Sequence, residues 1–143
     1  MKTTFKILLF CWSILWLNSS CSSDDSSDSS FVNDFTIEMD ENPAENQYIG
    51  RVPSEGLNGA IEFLTISILN QTVQNAIYIE YPDSLGSNSL YVNNPAIFDF
   101  ETNPVIKVTL RVNKVRLNLD FVTYDILETK TITVTINLND LPD

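Results

Sequence analysis

The feature of this sequence that most constrains its fold is a strict alternation of apolar and polar residues near the C-terminal end. Between residues 131 and 138, apolar side chains are separated by threonines and one asparagine. A period of two residues is that of a β-strand with one buried face. The apolar positions are Ile132, Val134, Ile136 and Leu138. This segment therefore predicts a half-buried strand.

Shorter segments of the same kind recur along the chain, separated by turn signals such as Asn58-Gly59. They lie at residues 35–39, 48–52, 61–69, 76–81, 89–92 and 106–112. No segment of helical length shows a period of 3.6 residues. A chain of 143 residues has room for one ordinary domain. The pattern predicts an all-β fold, a seven-stranded antiparallel sandwich.

The apolar face changes sides at two points in this pattern. One change falls between Phe63 and Leu64, where we expect a bulge or a strand crossing between sheets. The other follows Val112. Beyond it, the apolar face is expected to pass to Val115, Leu117, Leu119 and Phe121.

The first 20 residues have the layout of a secretory signal peptide. A short basic start is followed by an uncharged apolar run at residues 7–17, which is too short to span a bilayer. The alternative is an anchor that is not cleaved. The sequence therefore predicts an exported protein.

Cys21 follows this segment directly and is succeeded by a run of serines and aspartates that ends at Ser30. The arrangement resembles a bacterial lipoprotein signal, which implies lipid attachment at Cys21 and a location at the outer membrane or cell surface. Asn18 departs from the usual leucine three positions before the cysteine. The alternative is an unpaired exported thiol. We expect a signal peptide at 1–20, a tether at 21–30 and a folded domain at 31–143.

Charge and residue types narrow the range of functions. Removing the first 20 residues also removes Lys2 and Lys6, which takes the net charge from −11 to −13. Nucleic acid is not expected as a partner, because few cations remain to neutralise phosphates. The excess of acids favours cations as partners. The alternative is that the acidic surface serves solubility alone. The chain has no histidine and no phosphate-binding loop, so we do not expect an enzyme.

Carboxylates concentrate at three points between predicted strands. Asp99 and Glu101 are interleaved with Phe98 and Phe100, so that the rings can be buried while both acids face one pole. The alternative is that only the rings matter and the acids are solvated. Further oxygens are available at Glu41, Asn139 and Asp140. Pro43 is expected to hold Asn42 in extended geometry at the rim of the sheet. Oxygen ligands of this kind suit a hard cation such as calcium.

In order along the chain, these motifs resemble those of a single cadherin-type repeat, over roughly residues 35–143. The matching elements are Glu41-Asn42, Asp99-Phe100-Glu101 and Asn137-Leu138-Asn139-Asp140. The resemblance implies an immunoglobulin-like Greek-key sandwich that binds Ca²⁺ at its C-terminal pole. Its implied ligands are Glu41, Asp99, Glu101 and Asp140, together with the backbone carbonyl of Asn139.

The sequence departs from that family at two places. Asn137 stands where the closing motif has an acid, and Lys114 and Arg116 stand near the expected Ala-x-Asp element. The retained motifs face the end of this sequence, so we expect a half-site with weak calcium affinity, about 10⁻⁴–10⁻³ M.

The resemblance implies a non-enzymatic module for calcium-assisted adhesion or surface interaction, with another protein or repeat as partner. The alternative is a sandwich that binds carbohydrate or protein and whose calcium motifs are vestigial. In that case tyrosines would supply a platform for stacking on a glycan. They are Tyr48, Tyr78, Tyr81 and Tyr91.

Overall fold

The computed structural model describes residues 30–142, which fold as two packed β-sheets. Its strands are β1 (Phe35–Asp40), β2 (Tyr48–Arg51), β3 (Glu62–Gln71), β4 (Ile77–Ile79), β5 (Ser89–Val92), β6 (Val105–Leu117) and β7 (Tyr124–Asn139). A single 3₁₀ turn at Pro95–Ile97 lies between β5 and β6 in the described range. The prediction of an all-β sandwich with seven strands is confirmed.

The sheets contain four and three strands, in the orders β1-β7-β6-β3 and β2-β5-β4. The connections from β1 to β2, β2 to β3, β3 to β4 and β5 to β6 cross from one sheet to the other, as expected for a Greek-key sandwich. One pairing differs from the antiparallel prediction. β1 and β7 run parallel, from Phe35 opposite Val134 to Asp40 opposite Asn139. The ends of β1 and β7 therefore meet at the same pole.

The core lies between the sheets and follows the alternation seen in the sequence. In β7 the four predicted apolar residues are at most 5% exposed. In β6 the inward residues are fully buried, and they are Ile106, Val108, Leu110 and Val112. Phe98, from the loop after the 3₁₀ turn, is also fully buried and packs into the same cluster. These side chains hold the loops of the carboxylate pole against the sandwich.

One predicted change of apolar face is found, and the other lies elsewhere. The pairing of β6 with β7 shifts register between Lys114 and Val115, and Val115 is buried. The shift in β3 lies between Ile68 and Asn70, so the position predicted at Phe63 and Leu64 was wrong.

The expectation that Leu119 and Phe121 lie on the apolar face was also wrong. They are 96% and 75% exposed, because β6 ends at Leu117 and the chain reverses before β7 begins. Asp120 closes this reversal by accepting hydrogen bonds from the N–H groups of Val122 and Thr123, each at 3.0 Å. Local turn bonding therefore prevails over the alternating pattern.

The described chain enters the fold at the pole opposite the ends of β1 and β7. Phe31 and Val32 are buried, and the carbonyl of Phe31 accepts a 3.0 Å hydrogen bond from the N–H of Glu55. Asp34 accepts a hydrogen bond from the N–H of Thr133 in β7 at 2.8 Å. The predicted signal peptide and most of the predicted tether lie outside the described residues.

Candidate metal centre

Glu41 lies directly after β1, with its side chain turned into the fold. It is 5% exposed. Its Oε2 accepts the N–H of Phe100 at 3.1 Å, and its Oε1 accepts the N–H of Leu141 at 2.8 Å. Its own N–H donates to the carbonyl of Asn139 at 3.3 Å, which continues the β1–β7 pairing. Backbone donors from two distant segments therefore hold this carboxylate in place.

Asn42 directs the chain away from this point. Its φ is +55°, in the left-handed region, and its N–H donates to the carbonyl of Phe98 at 2.8 Å. The expectation of extended geometry before Pro43 was therefore wrong. Asparagine tolerates left-handed geometry better than most residues. The resulting turn keeps Glu41 beside the loop that carries Asp99.

Asp99 and Glu101 lie in a turn between the 3₁₀ turn and β6. The Oδ1 of Asp99 accepts the N–H of Glu101 at 3.1 Å, and its Oδ2 accepts the hydroxyl of Thr102 at 2.8 Å. The carbonyl of Asp99 accepts the N–H of Asn103 at 2.7 Å. Phe98 is buried and Phe100 is half-buried, as their interleaving with the acids predicted. The rings anchor the turn while the acids stay at the surface.

The three acids Glu41, Asp99 and Glu101 converge at this pole. One carboxylate oxygen of each lies within 4.8 Å of the others. The hydroxyl of Thr102, followed by the side chain of Glu101 and the backbone N–H groups of the turn, holds the pKa of Asp99 below its ordinary value. The pKa of Glu101 is shifted in the opposite direction. A hydrogen bond from its own backbone lowers its pKa, but contact with Asp99, desolvation and the charges of Glu41 and Asp99 outweigh it, so the pKa of Glu101 is raised.

This donor set fits the chemistry of a calcium ion, which takes 6–8 oxygens at irregular geometry. Each carboxylate oxygen that accepts one hydrogen bond keeps a second lone pair for a cation. A bound dication would also relieve the repulsion that raises the pKa of Glu101. The three acids do not provide a full coordination shell by themselves, so the centre is partial.

The other predicted ligands lie near this pole but are arranged differently. The carbonyl of Asn139 accepts the N–H of Glu41, and its side-chain amide donates to Asp40 Oδ1 at 3.0 Å. Asp140 is exposed and lies outside the group of three acids. Asn137 donates to Glu38 Oε1 at 2.7 Å across β1 and β7. Of the five predicted ligands, the structure brings three carboxylates together.

Solved structures to which this chain is similar include cadherin ectodomains. The human desmocollin-1 ectodomain superposes with a TM-score of 0.54 at 20% identity, over 74% of this chain and 19% of that chain. Repeats 1–2 of human protocadherin-24 give a TM-score of 0.54 at 13% identity, over 78% of this chain and 52% of that chain. The protocadherin gammaB4 ectodomain gives 0.51 at 16% identity, over 76% and 16% of the two chains.

This chain has the fold of a cadherin repeat. It spans about half or less of the length of each of these ectodomain structures. No protein-family model matches the sequence of this cadherin-like domain, and no curated protein matches it significantly.

The pole of the cadherin-like domain opposite the three acids has a different electrostatic arrangement. Glu62 is 7% exposed and pairs with Arg116 at 2.8 Å and Lys114 at 3.2 Å. Its Oε2 also accepts the N–H of Asn58 at 3.1 Å. The Arg116 guanidinium, the Asn58 N–H and Lys114 together lower the pKa of Glu62 from 4.5 to about 2. The two cations therefore neutralise an acid of the same domain at this pole.

Sequence reasoning missed two features of these sites. The first is Thr102, whose hydroxyl holds Asp99; its spacing of three residues after an aspartate is the signal that could have found it. The second is the Glu62 ion pair, whose partners are 54 residues apart in sequence and adjacent only through the β3–β6 pairing.

The remaining predicted site residue, Cys21, lies outside the described residues. Within residues 30–142, no helix has the length and apolar character needed to cross a membrane.

Proposed function

We propose that this chain is a non-enzymatic, exported cadherin-like module that binds calcium at its carboxylate pole and acts in adhesion or surface interaction. The observation that carries the proposal is the convergence of Glu41, Asp99 and Glu101, with oxygens within 4.8 Å of one another. These residues come from two separate loops. The likeness of the fold to solved cadherin ectodomains supports the proposal.

Glu41, Asp99 and Glu101 form the core of the proposed site. The Asn139 carbonyl and Asp140 are the further donors that the sequence predicted. The Asn139 carbonyl already accepts a hydrogen bond from Glu41, which leaves one lone pair for a cation. We therefore expect weak binding, about 10⁻⁴–10⁻³ M, which an oxygen from a partner repeat or protein would strengthen. Magnesium should bind less well, because it demands near-octahedral geometry and keeps its waters.

Cys21 is proposed as the attachment point of a lipid, which would place the domain at the outer membrane or cell surface. The support is the sequence alone: an apolar run, two serines and then the cysteine, followed by a Ser/Asp-rich stretch. The mass of Cys21-containing peptides from the producing cell tests this directly, because acylation adds a large apolar group to that residue.

Calorimetric titration with calcium tests the metal proposal on the chain that begins at Cys21. We expect heat of binding in the wild type, loss of that heat in Asp99→Ala, and wild-type behaviour in Asp125→Ala. Asp125 is a matched control, because it is an exposed acid in β7 near the opposite pole. No heat up to several millimolar calcium, with no change in Asp99→Ala, would reject the calcium site.

A melting curve provides a second readout of the same site. A ligand that binds only the folded state raises the unfolding midpoint by an amount set by its concentration and affinity. Calcium should raise the midpoint of the wild type and leave that of Asp99→Ala unchanged.

A second candidate function is carbohydrate binding on the three-stranded sheet. Tyr48, Tyr91 and Tyr78 form a row across β2, β5 and β4, with ring centroids 5.8 Å and 5.5 Å apart. Tyr48 is 54% exposed, while Tyr78 and Tyr91 are half-buried and stack on each other. Aromatic side chains with a polar tip at the surface suit stacking on a sugar ring. Tyr81 is 71% exposed and follows β4 rather than extending this row. A glycan array with wild type and Tyr48→Ala, each with calcium and with chelator, separates this candidate from the first.

A further inference from the structure

The β6–β7 hairpin carries exposed apolar side chains at the pole opposite the three acids. Leu119, Phe121 and Val122 at its tip are 96%, 75% and 80% exposed. The adjacent start of β7 adds Ile126, which is 58% exposed, and Leu127, which is 42% exposed. A group of large exposed apolar side chains close together in the chain is a candidate interaction site. We call the residues 118–123 the hairpin tip.

The polar groups of the hairpin tip are satisfied within the turn. Both oxygens of Asp120 accept hydrogen bonds: Oδ1 from the N–H groups of Val122 and Thr123, and Oδ2 from the Thr123 hydroxyl at 2.7 Å. Asn118 donates its N–H to the Thr123 carbonyl at 2.9 Å. The one acid of the tip therefore faces the turn, and the apolar side chains face outward.

Phe121 adds a second observation. Its φ is +56°, in the left-handed region that a bulky side chain rarely adopts. Strained backbone of this kind persists where the surrounding structure enforces it, and it is common at functional sites. Here the turn places a phenyl ring in water, 75% exposed, instead of in the core.

The chain enters the domain on the same side as the hairpin tip. Ser30 accepts a hydrogen bond from Lys130 Nζ in β7. Lys130 lies six residues along β7 from Tyr124, which is roughly 20 Å at the rise of a strand. Cys21 precedes Ser30 by nine residues, which span at most about 30 Å when extended. A lipid on Cys21 would therefore bring a lipid surface within reach of the hairpin tip.

The shape and charge of the tip also favour lipid over a protein groove. The tip lies at the end of a hairpin with its apolar side chains 75–96% exposed, and side chains such as leucine and phenylalanine partition into the boundary between head groups and acyl chains. The acidic pole, with Glu41, Asp99 and Glu101, is at the other end of the sandwich. With the hairpin tip toward the lipid, the charge of the acidic pole would lie on the far side of the domain.

We propose that Leu119, Phe121 and Val122 insert into the lipid surface that carries the Cys21 anchor, so that the acidic pole points away from the membrane. This inference rests on the lipid attachment of Cys21 proposed above. The tip acts as a second contact beside the anchor and fixes the orientation of the domain on the lipid surface.

The test uses the chain that begins at Cys21. This chain contains no tryptophan, because Trp12 and Trp16 both lie in the first 20 residues, and Cys21 is its sole cysteine. Phe121→Trp therefore introduces one fluorescent reporter at the tip. Coupling the Cys21 thiol to maleimide lipids in phosphatidylcholine vesicles supplies the anchor chemically, whether or not cells attach a lipid there.

With the protein coupled to vesicles, we expect the emission of Phe121→Trp to shift to shorter wavelength and to be quenched by brominated lipids. Tyr48→Trp is the matched control, because Tyr48 is 54% exposed on the three-stranded sheet, and its emission should remain unquenched. Adding Leu119→Ser and Val122→Ser to Phe121→Trp should reduce the quenching while circular dichroism confirms the fold.

Absence of quenching in vesicle-coupled Phe121→Trp would overturn the inference and leave the Cys21 anchor proposal intact. A shift that appears without vesicles and grows with protein concentration would assign the tip to a second copy of the chain, which also overturns it. An unmodified Cys21 in protein isolated from the producing cell would reject the lipid anchor. It would also overturn the inference, because the tip would then have no anchored lipid surface to enter. The calcium proposal is independent of all these outcomes.

Discussion

The backbone N–H of Leu141 donates a 2.8 Å hydrogen bond to Oε1 of Glu41, and so joins residues 100 positions apart. The other oxygen of this carboxylate accepts the N–H of Phe100, 59 positions away. A single side chain, 5% exposed, therefore connects the end of β1, the loop of Asp99 and the chain after β7. Glu41 supports the fold at this pole whether or not a cation binds there.

Glu41→Gln should destabilise the domain in the absence of calcium. Glutamine keeps one acceptor oxygen and replaces the other with a donor, so one of the two backbone N–H groups loses its partner. Leaving a buried donor unpaired costs about 1–3 kcal/mol. Urea unfolding in chelator measures the loss, with Glu45→Gln as an exposed control that should match the wild type. A Glu41→Gln midpoint equal to that of the wild type would mean that these hydrogen bonds contribute nothing.

Glu101→Gln should have opposite effects without and with calcium. Because nearby acids raise the pKa of Glu101, its charged form is disfavoured in the folded state. The neutral variant should therefore melt at a higher temperature than the wild type in chelator at pH 7. In calcium the wild type should melt at the higher temperature, because Glu101→Gln removes one of the calcium ligands. Glu128→Gln, at an exposed position in β7, should change neither curve.

The same raised pKa predicts a pH dependence of calcium binding. Protons compete with calcium for Glu101, so as the pH is lowered the affinity of the wild type should begin to fall before the pH reaches 4.5, the ordinary pKa of a glutamate. Titrations at a series of pH values measure this fall, which should be smaller in Glu101→Gln. An equal fall in both proteins would assign the competition to other carboxylates.

Glu62→Gln should change the acid stability of the domain. The pKa of Glu62 is lowered from 4.5 to about 2, so its charged form is favoured in the folded state. Its contribution is present above pH 4.5 and is lost as the pH falls through about 2. At pH 7, denaturant unfolding should give a lower free energy of unfolding for the variant than for the wild type. This difference should narrow below pH 4.5. If the difference in free energy of unfolding stayed constant across that range, the destabilisation by Glu62→Gln would come from packing and not from charge.

Ser67→Ala should leave the domain as stable as the wild type or make it more stable. The hydroxyl oxygen of Ser67 is buried and has no hydrogen-bond partner in the described structure. Removing an unpaired buried polar group relieves a desolvation cost of about 1–3 kcal/mol, less the cost of any cavity.

Thr65→Val is the comparison for Ser67→Ala in the same strand. The Thr65 hydroxyl accepts a 3.1 Å hydrogen bond from the Asn113 amide, so its loss leaves a buried donor unpaired. Thermal unfolding should place Thr65→Val below the wild type and Ser67→Ala at or above it. Equal losses in both variants would mean that Ser67 has a partner, such as an ordered water.

The sequence alone determined the strands and the local part of the site. The alternation in β6 and β7 fixes which side chains face the core, because successive side chains of a strand point to opposite faces. Asp99 and Glu101 are neighbours for the same local reason, since a turn joins the Asp99 carboxylate to the Glu101 N–H. Both relationships depend only on residues a few positions apart.

Only the tertiary structure decided which distant groups meet. The parallel β1–β7 pairing and the β6–β7 pairing together bring Glu41 to the loop of Asp99, and the β3–β6 pairing brings Arg116 to Glu62. Sheet pairing also decided where the alternation stops producing burial: residues 121–129 are all exposed. Alternation records which residues share a face, but burial and long-range hydrogen bonds require a second segment opposite that face. The sequence pattern does not contain that information, because the second segment is placed by the closure of the whole sandwich.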